Sequence, residues 1–136
     1  MARVTAAMLC DFAQVREGLL FVQSAGINRM WRSQTPANLG CMLGVVFEVG
    51  PGEYDHTHTL RVTVKQVDTA LSIVRIDGTA RINSTAGYEL GEAAVVPLAL
   101  DLRAVEVPTF GQYDVQIAVD GGDTTILSCW VKQIKP

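Results

Sequence analysis

From Thr57 to Gln66 the chain alternates without a break, with Leu60, Val62 and Val64 on one side and Thr59, Arg61, Thr63 and Lys65 on the other. A period of two puts one face of a strand in a core and the other in water, and a helix cannot present that pattern. The alternation returns in Tyr113, Val115, Ile117 and Val119, set against Asp114, Gln116, Ala118 and Asp120. Asp120-Gly121-Gly122 follows at once. Asp-Gly accepts the positive φ that a tight hairpin turn demands, so Tyr113–Val119 should fold back on Thr124–Gln133. No window longer than about ten residues keeps a 3.6-residue period.

Shorter apolar runs, broken by Gly, Pro, Asn and Asp, supply the other strands. Val4–Cys10 reads as the first strand. Leu19–Gln23 and Ile27–Trp31 read as a hairpin around Ser24-Ala25-Gly26, and Phe12–Glu17 as a single turn of helix. Cys41–Val49 stops at Gly50-Pro51-Gly52. Leu71–Ile76 stops at Asp77-Gly78, and Thr79–Asn83 continues after that second tight turn. Val95–Leu102 contains Pro97, which has no N–H to give a ladder, so that strand belongs at a sheet edge or at a bulge. The sum is eight or nine strands. It predicts an all-β chain: a single antiparallel two-sheet sandwich, immunoglobulin-like or related, filling residues 1–136 as one domain. A chain of 136 residues buries about two-thirds of its unfolded surface, enough for a core without disulfides or metal. Tyr113 ends the turn Val107-Pro108-Thr109-Phe110-Gly111-Gln112, where a corner tyrosine bonds its hydroxyl back to the backbone; antibody domains place a Cys two residues later, and Val115 stands there instead.

Charge and cysteine usage narrow the function classes. The net charge is −3 and the eleven Lys and Arg are scattered, without the basic stripe that nucleic-acid binding leaves. Charged residues make up 18% of the chain, against about 25% in an average domain, which hints that a partner or other copies cover part of the surface. Cys10, Cys41 and Cys129 are odd in number and lie in apolar runs, as free thiols of a reducing compartment do. The apolar run near the N-terminus is too short for a signal peptide. Ala93–Leu100, the longest apolar stretch, falls well short of the roughly 20 residues of a membrane helix. The expected setting is the cytoplasm, or a virion or other particle, with no membrane and no nucleic acid as partner.

Asp55-His56-Thr57-His58 is the one stretch where metal-ligand residue types crowd together. On a strand both imidazoles would project from one face, and imidazole suits Zn or Cu. Glu53 and Asp55 could supply oxygens, but a structural zinc site needs four ligands and the cysteines are remote, so Asp55, His56 and His58 are weak metal candidates, set against a polar loop rising into a strand. No cofactor is implied. There is no Gly-x-Ser-x-Gly and no phosphate-binding glycine loop. An enzyme would have to use His56 and His58, or carboxylates dispersed over Asp11, Glu17, Glu48, Asp101 and Glu106. The association signal is stronger. Trp31 stands beside Arg32 and near Arg29, the residue types of an interface hot spot, although a core position for Trp31 is the plainer alternative. Ile126, Trp130 and Ile134 face one way along the last strand, while Leu127, Cys129 and Val131 face the other. Val95–Leu102 is apolar on both faces too. Such strands need a loop or a partner over the second face. Arg29, Trp31, Arg32, Ile126, Trp130 and Ile134 are therefore the expected contact region.

One longer pattern runs through the chain. Cys10-Asp11-Phe12-Ala13-Gln14-Val15-Arg16-Glu17-Gly18-Leu19-Leu20-Phe21-Val22 is followed by Trp31-Arg32, by Val96-Pro97-Leu98-Ala99-Leu100-Asp101-Leu102 and Gly111-Gln112-Tyr113, and by a closing Asp-Gly turn with Trp130-Val131. These blocks resemble a family of short uncharacterised bacterial proteins, catalogued only as a domain of unknown function. The resemblance covers nearly the whole chain. It implies a stand-alone β-sandwich, no reaction, and no catalytic residue to carry over. The expected function is a non-enzymatic structural or protein-interaction module, self-associating or a subunit of a larger assembly such as a phage or phage-like particle. One alternative is a module binding a small ligand or metal between the sheets or in loops Thr35–Gly40 and Pro51–Thr57. The other is an enzyme with a dispersed carboxylate or histidine site.

Overall fold

The computed structural model describes residues 2–83 and 87–135. Twelve strands are found among them: β1 (Arg3–Cys10), β2 (Phe12–Arg16), β3 (Leu19–Gln23), β4 (Arg29–Arg32), β5 (Ala37–Asn38), β6 (Met42–Val49), β7 (Thr57–Gln66), β8 (Ser72–Arg81), β9 (Ala94–Asp101), β10 (Glu106–Val107), β11 (Gly111–Val119) and β12 (Thr125–Gln133). A 3-10 turn, Pro51–Glu53, separates β6 from β7. The strands form open sheets in the orders β1-β6-β9, β4-β12-β11-β7-β8, β2-β3 and β10-β5. The fold is all-β as expected, but its twelve strands lie in four sheets, not eight or nine in two. Ala37–Asn38 and Glu106–Val107 pair over only two residues, too short for any alternation to show.

The central strands follow their pattern. Leu60, Val62 and Val64 of β7 and Tyr113, Val115, Ile117 and Val119 of β11 are all buried, and the two strands pair along their length. β11 turns at Asp120-Gly121, both at positive φ, and pairs with β12. Pro97 lies on β9, an edge strand, where its missing N–H leaves no ladder bond unmade. Val45, Phe47 and Val49 of β6 meet the inward residues of β7, β11 and β12 in one core. Tyr113 is fully buried there; its hydroxyl donates to the Thr109 carbonyl at 2.7 Å and accepts from the Thr109 N–H at 3.3 Å. That is the corner bond its position suggests.

Three local expectations are overturned. Phe12–Glu17 is not a helical turn but strand β2, closed by Glu17 and Gly18 at φ +52° and +74°. Two consecutive positive φ values make a tight two-residue hairpin, so Leu19–Gln23 pairs backwards with β2 and not forwards with Ile27–Trp31. β4 instead runs parallel to β12, Trp130 opposite Arg29 and Lys132 opposite Trp31, so the sheets are not wholly antiparallel. Asp77-Gly78 is not a turn: β8 passes straight through it, with Asp77 opposite Arg61 and Gly78 opposite Leu60. Arg61 and Arg75 donate to the Asp77 carboxylate at 3.0 and 3.2 Å. The residue types of a turn here place charge along an edge strand, where it discourages sheet-to-sheet pairing.

The β2–β3 hairpin lies over the second face of β6 and β9. Ala13 packs with Cys10 and Met42, and Leu20, Val22 and Ala99 close around them. Gly44 makes room for this, because a Cβ there would stand 3.1 Å from Leu20 Cδ2. The two-sided apolar pattern of Val95–Leu102 thus has part of its cover within the chain, at Ala99, while Val95 stands 55% exposed.

Candidate functional site

Among the described residues, nothing covers the last strand in this way. Alternation along β12 sends Cys129 and Val131 into the core and leaves Ile126 52%, Trp130 46% and Ile134 51% exposed. The parallel register with β4 adds to the same face. Met30, opposite Val131, is buried, while Trp31 stands 50% exposed beside Lys132. The Lys132 ammonium lies 5.6 Å from the Trp31 ring centroid, within reach of a cation–π contact. Arg29 is opposite Trp130. Trp31 is therefore a surface residue, and the core position weighed for it is not the one it takes.

Five of the six residues expected at the contact region, Arg29, Trp31, Ile126, Trp130 and Ile134, share this face. Arg32 does not. Neighbours on a strand point to opposite sides. The Arg32 guanidinium donates to the carbonyls of Trp31, Asn38 and Leu39 at 2.8, 3.0 and 2.9 Å. Arg32 is a strut for the segment leading into β5, and Gly40 leaves the space it occupies, since a Cβ there would overlap the guanidinium. Lys132, which the sequence reading did not single out, takes the place given to Arg32. It lies two residues beyond Trp130 on the same strand, and that spacing was the available signal.

Of the suggested metal ligands only Glu53 and His58 are brought together. His56 is exposed before β7 begins, whereas His58 is only 3% exposed. Asp55 sits at φ +63° and donates its N–H to the Ile82 carbonyl. What the fold brings together is Glu53, His58 and Asp120, with ligand-type atoms within 4.8 Å of one another. His58 Nδ1 lies 2.7 Å from Asp120 Oδ2, and Nε2 lies 2.9 Å from the Glu53 carbonyl oxygen. A carboxylate and a carbonyl only accept, so both ring nitrogens donate and the ring has no lone pair for a cation. Burial works against a charged imidazole, but the bond to Asp120 and the bond to the Glu53 carbonyl outweigh it, and His58 titrates above its ordinary value. For Asp120, burial is again the opposing influence; the His58 bond and the Thr59 N–H prevail and hold the carboxyl below its ordinary value. Asp120 lies 62 residues from His58, and no local spacing could have paired them.

The thiols and two of the dispersed carboxylates are also accounted for. All three cysteines are buried free thiols, and burial pushes Cys41 up to about 12 and Cys129 up to about 11. At neutral pH such thiols are not nucleophiles. Asp101 is held by Arg103 two residues on, and Glu48 faces Arg3 at 3.7 Å. A cleft of about 340 Å³ lies between the start of β1 and the β11–β12 turn, lined by Ala2, Arg3, Val4, Val119, Asp123 and Thr125. No helix among the described residues is long and apolar enough to cross a membrane.

A family model described as "Family of unknown function (DUF6941)" matches residues 5–132, and the chain belongs to that family. No curated protein matches the chain in sequence.

Proposed function

We propose that the protein is a non-enzymatic interaction module that associates with further copies of itself through the outer face of β4 and β12, as a structural protein or as a subunit of a larger assembly. One contrast carries the reading. The chain's own hairpin covers the second face of β6 and β9 around Met42 and Ala99, while among the described residues that of β12 stands open from Ile126 to Ile134. Two tryptophans and two isoleucines at half exposure present on the order of 400 Å² of mostly apolar surface, within the roughly 300–600 Å² of an ordinary monomer's largest patch, which is often functional. Arg29 and Lys132 lie against it, as polar groups do around the buried centre of an interface. Read as a whole, the three- and five-stranded sheets sharing one core favour an immunoglobulin-like sandwich, with the two small sheets as additions. A cytoplasmic or particle-borne setting, without membrane or nucleic acid, fits the same picture.

The test is mass in solution, by size-exclusion chromatography with light scattering across a concentration series. The wild type should form multimers whose fraction rises with concentration, and Trp130→Ser should return to monomer with an unchanged far-UV spectrum. A wild type that stays monomeric at every concentration defeats self-association. A variant that unfolds would show Trp130 to be part of the core, and Ile126→Ser then probes the same face.

A further inference from the structure

The β2–β3 hairpin covers the sheet beneath it, and among the described residues nothing covers the hairpin in turn. Ala13, Leu20 and Val22 pack down onto Cys10 and Met42. Alternation sends Phe12, Leu19 and Phe21 the other way, and all three are exposed. The register keeps them together: Phe12 lies opposite Gln23, Phe21 opposite Gln14 and Leu19 opposite Arg16. Two phenylalanines and a leucine at about half exposure present on the order of 300 Å² of apolar surface.

β6 fixes where this patch lies relative to Trp31 and Trp130. Its Val45, Phe47 and Val49 enter the core shared with β7, β11 and β12, while its Met42 and Gly44 seat the hairpin on the other side. The outer face of the hairpin and the outer face of β12 therefore look away from each other, on opposite sides of the molecule. They also differ in charge. Arg29 and Lys132 lie beside the tryptophans, with Asp114, bonded by Ser128, as the neighbouring acid on β11. On the hairpin, exposed Asp11 and Glu17 bracket β2, and Arg16 is the base between them. One face carries an excess of positive charge and the other an excess of negative charge.

We propose that the β4–β12 face of one copy receives the β2–β3 hairpin of the next, so that subunits join head to tail; this rests on the self-association reading and names the surface that the tryptophans meet. Pairing either face with itself sets like charge against like, which costs affinity and selects against that partner. Pairing the unlike faces offers Asp11 and Glu17 to Arg29 and Lys132, and Asp114 to Arg16. The two apolar patches together amount to on the order of 700 Å², and with their charged rims the contact reaches the roughly 1,000 Å² that a specific interface needs. A two-fold dimer through the tryptophans would leave both hairpins bare. Head-to-tail contact buries both faces of every inner copy, and because the faces point apart the series stays open instead of closing into a ring.

Mixing two variants, each spoiled on one face, tests this by light scattering of the full chain. The wild-type mass should climb past the dimer with concentration and reach no plateau. Phe21→Ser and Trp130→Ser should each weaken association by about thirtyfold or more and be monomeric where the wild type is not. Mixed one to one, they should form a dimer and nothing larger, because Phe21→Ser keeps its β4–β12 face and Trp130→Ser keeps its hairpin. Leu19→Ser takes the place of Phe21→Ser if that variant loses the wild-type far-UV spectrum. A wild type that halts at the dimer, a hairpin variant that multimerises like the wild type, or a mixture that stays monomeric overturns the head-to-tail pairing and leaves self-association standing. A wild type that is monomeric at every concentration overturns both.

Discussion

Replacing Tyr113 with Phe removes one oxygen from the centre of the molecule and little else. The ring stays buried among the same neighbours, so no apolar surface is lost and no cavity larger than an oxygen remains. What disappears are the bonds to the Thr109 carbonyl and N–H. A hydrogen bond of this kind contributes about 0.5–1.5 kcal/mol net, and partner groups left without water cost about 1–3. Thr109 lies at the surface, where water reaches it, so the lower end applies and about 1–2 kcal/mol is expected. For a chain of this length one kcal/mol is worth about 3–4 °C in Tm, which puts the shift at roughly 3–8 °C. Thermal melts followed by circular dichroism, with urea titrations beside them, measure it, and the urea m-value should not change. The same Thr109 also accepts from Gln66 through its hydroxyl. Combining Tyr113→Phe with Gln66→Leu should therefore fall short of the sum of the two single changes. A Tm within a degree of wild type would show that the hydroxyl anchors nothing, and full additivity would show that the corner and the β7–β8 turn are independent.

Gly44→Leu should push Leu20 off its seat and lift the β2–β3 hairpin, destabilising the fold by about 1–3 kcal/mol. Limited proteolysis would then cut near Glu17-Gly18, and an uncut, equally stable variant would disprove the seat. Cys41 and Cys129 should resist a thiol reagent in the native protein at pH 8 and react at once in denaturant; prompt native labelling would contradict their burial. Trp130→Ser should lower Tm by no more than about 1 kcal/mol's worth while dissolving the multimer, because surface substitutions have small effects on stability.

Strands that bury one face and wet the other could be read directly, and β7 and β11 were. The hairpin after Asp120 was legible because Asp-Gly there sits between two alternating runs. Asp77-Gly78 carries the same letters and is no turn, since what decides is the partner: Arg61 lies across from Asp77 and binds it. β2 was hidden because Phe12–Arg16 has no Gly, Pro or strict alternation, while its turn lies in Glu17, a residue that rarely takes positive φ. The parallel pairing of β4 with β12 spans a hundred residues and leaves no local trace. Most of the candidate face was legible, since it rests on period-two alternation along β12. The mistake at Arg32 was also avoidable. Trp31 and Arg32 are adjacent on a strand and cannot share a face. The union of His58 with Asp120 is a property of the fold, not of any segment.

The parallel seam between β4 and β12 also orders events in time. β1 has β6 and β2 has β3, but among the described residues Arg29–Arg32 finds its sheet partner only in Trp130–Gln133. During synthesis the early strand waits until the roughly one hundred residues up to β12 have emerged, and closing so distant a contact is slow. Trp31 and Trp130 reach one surface in that last step. A chain cut short before β12 cannot display the two tryptophans side by side, so the face proposed for assembly is reserved to molecules that carry that strand.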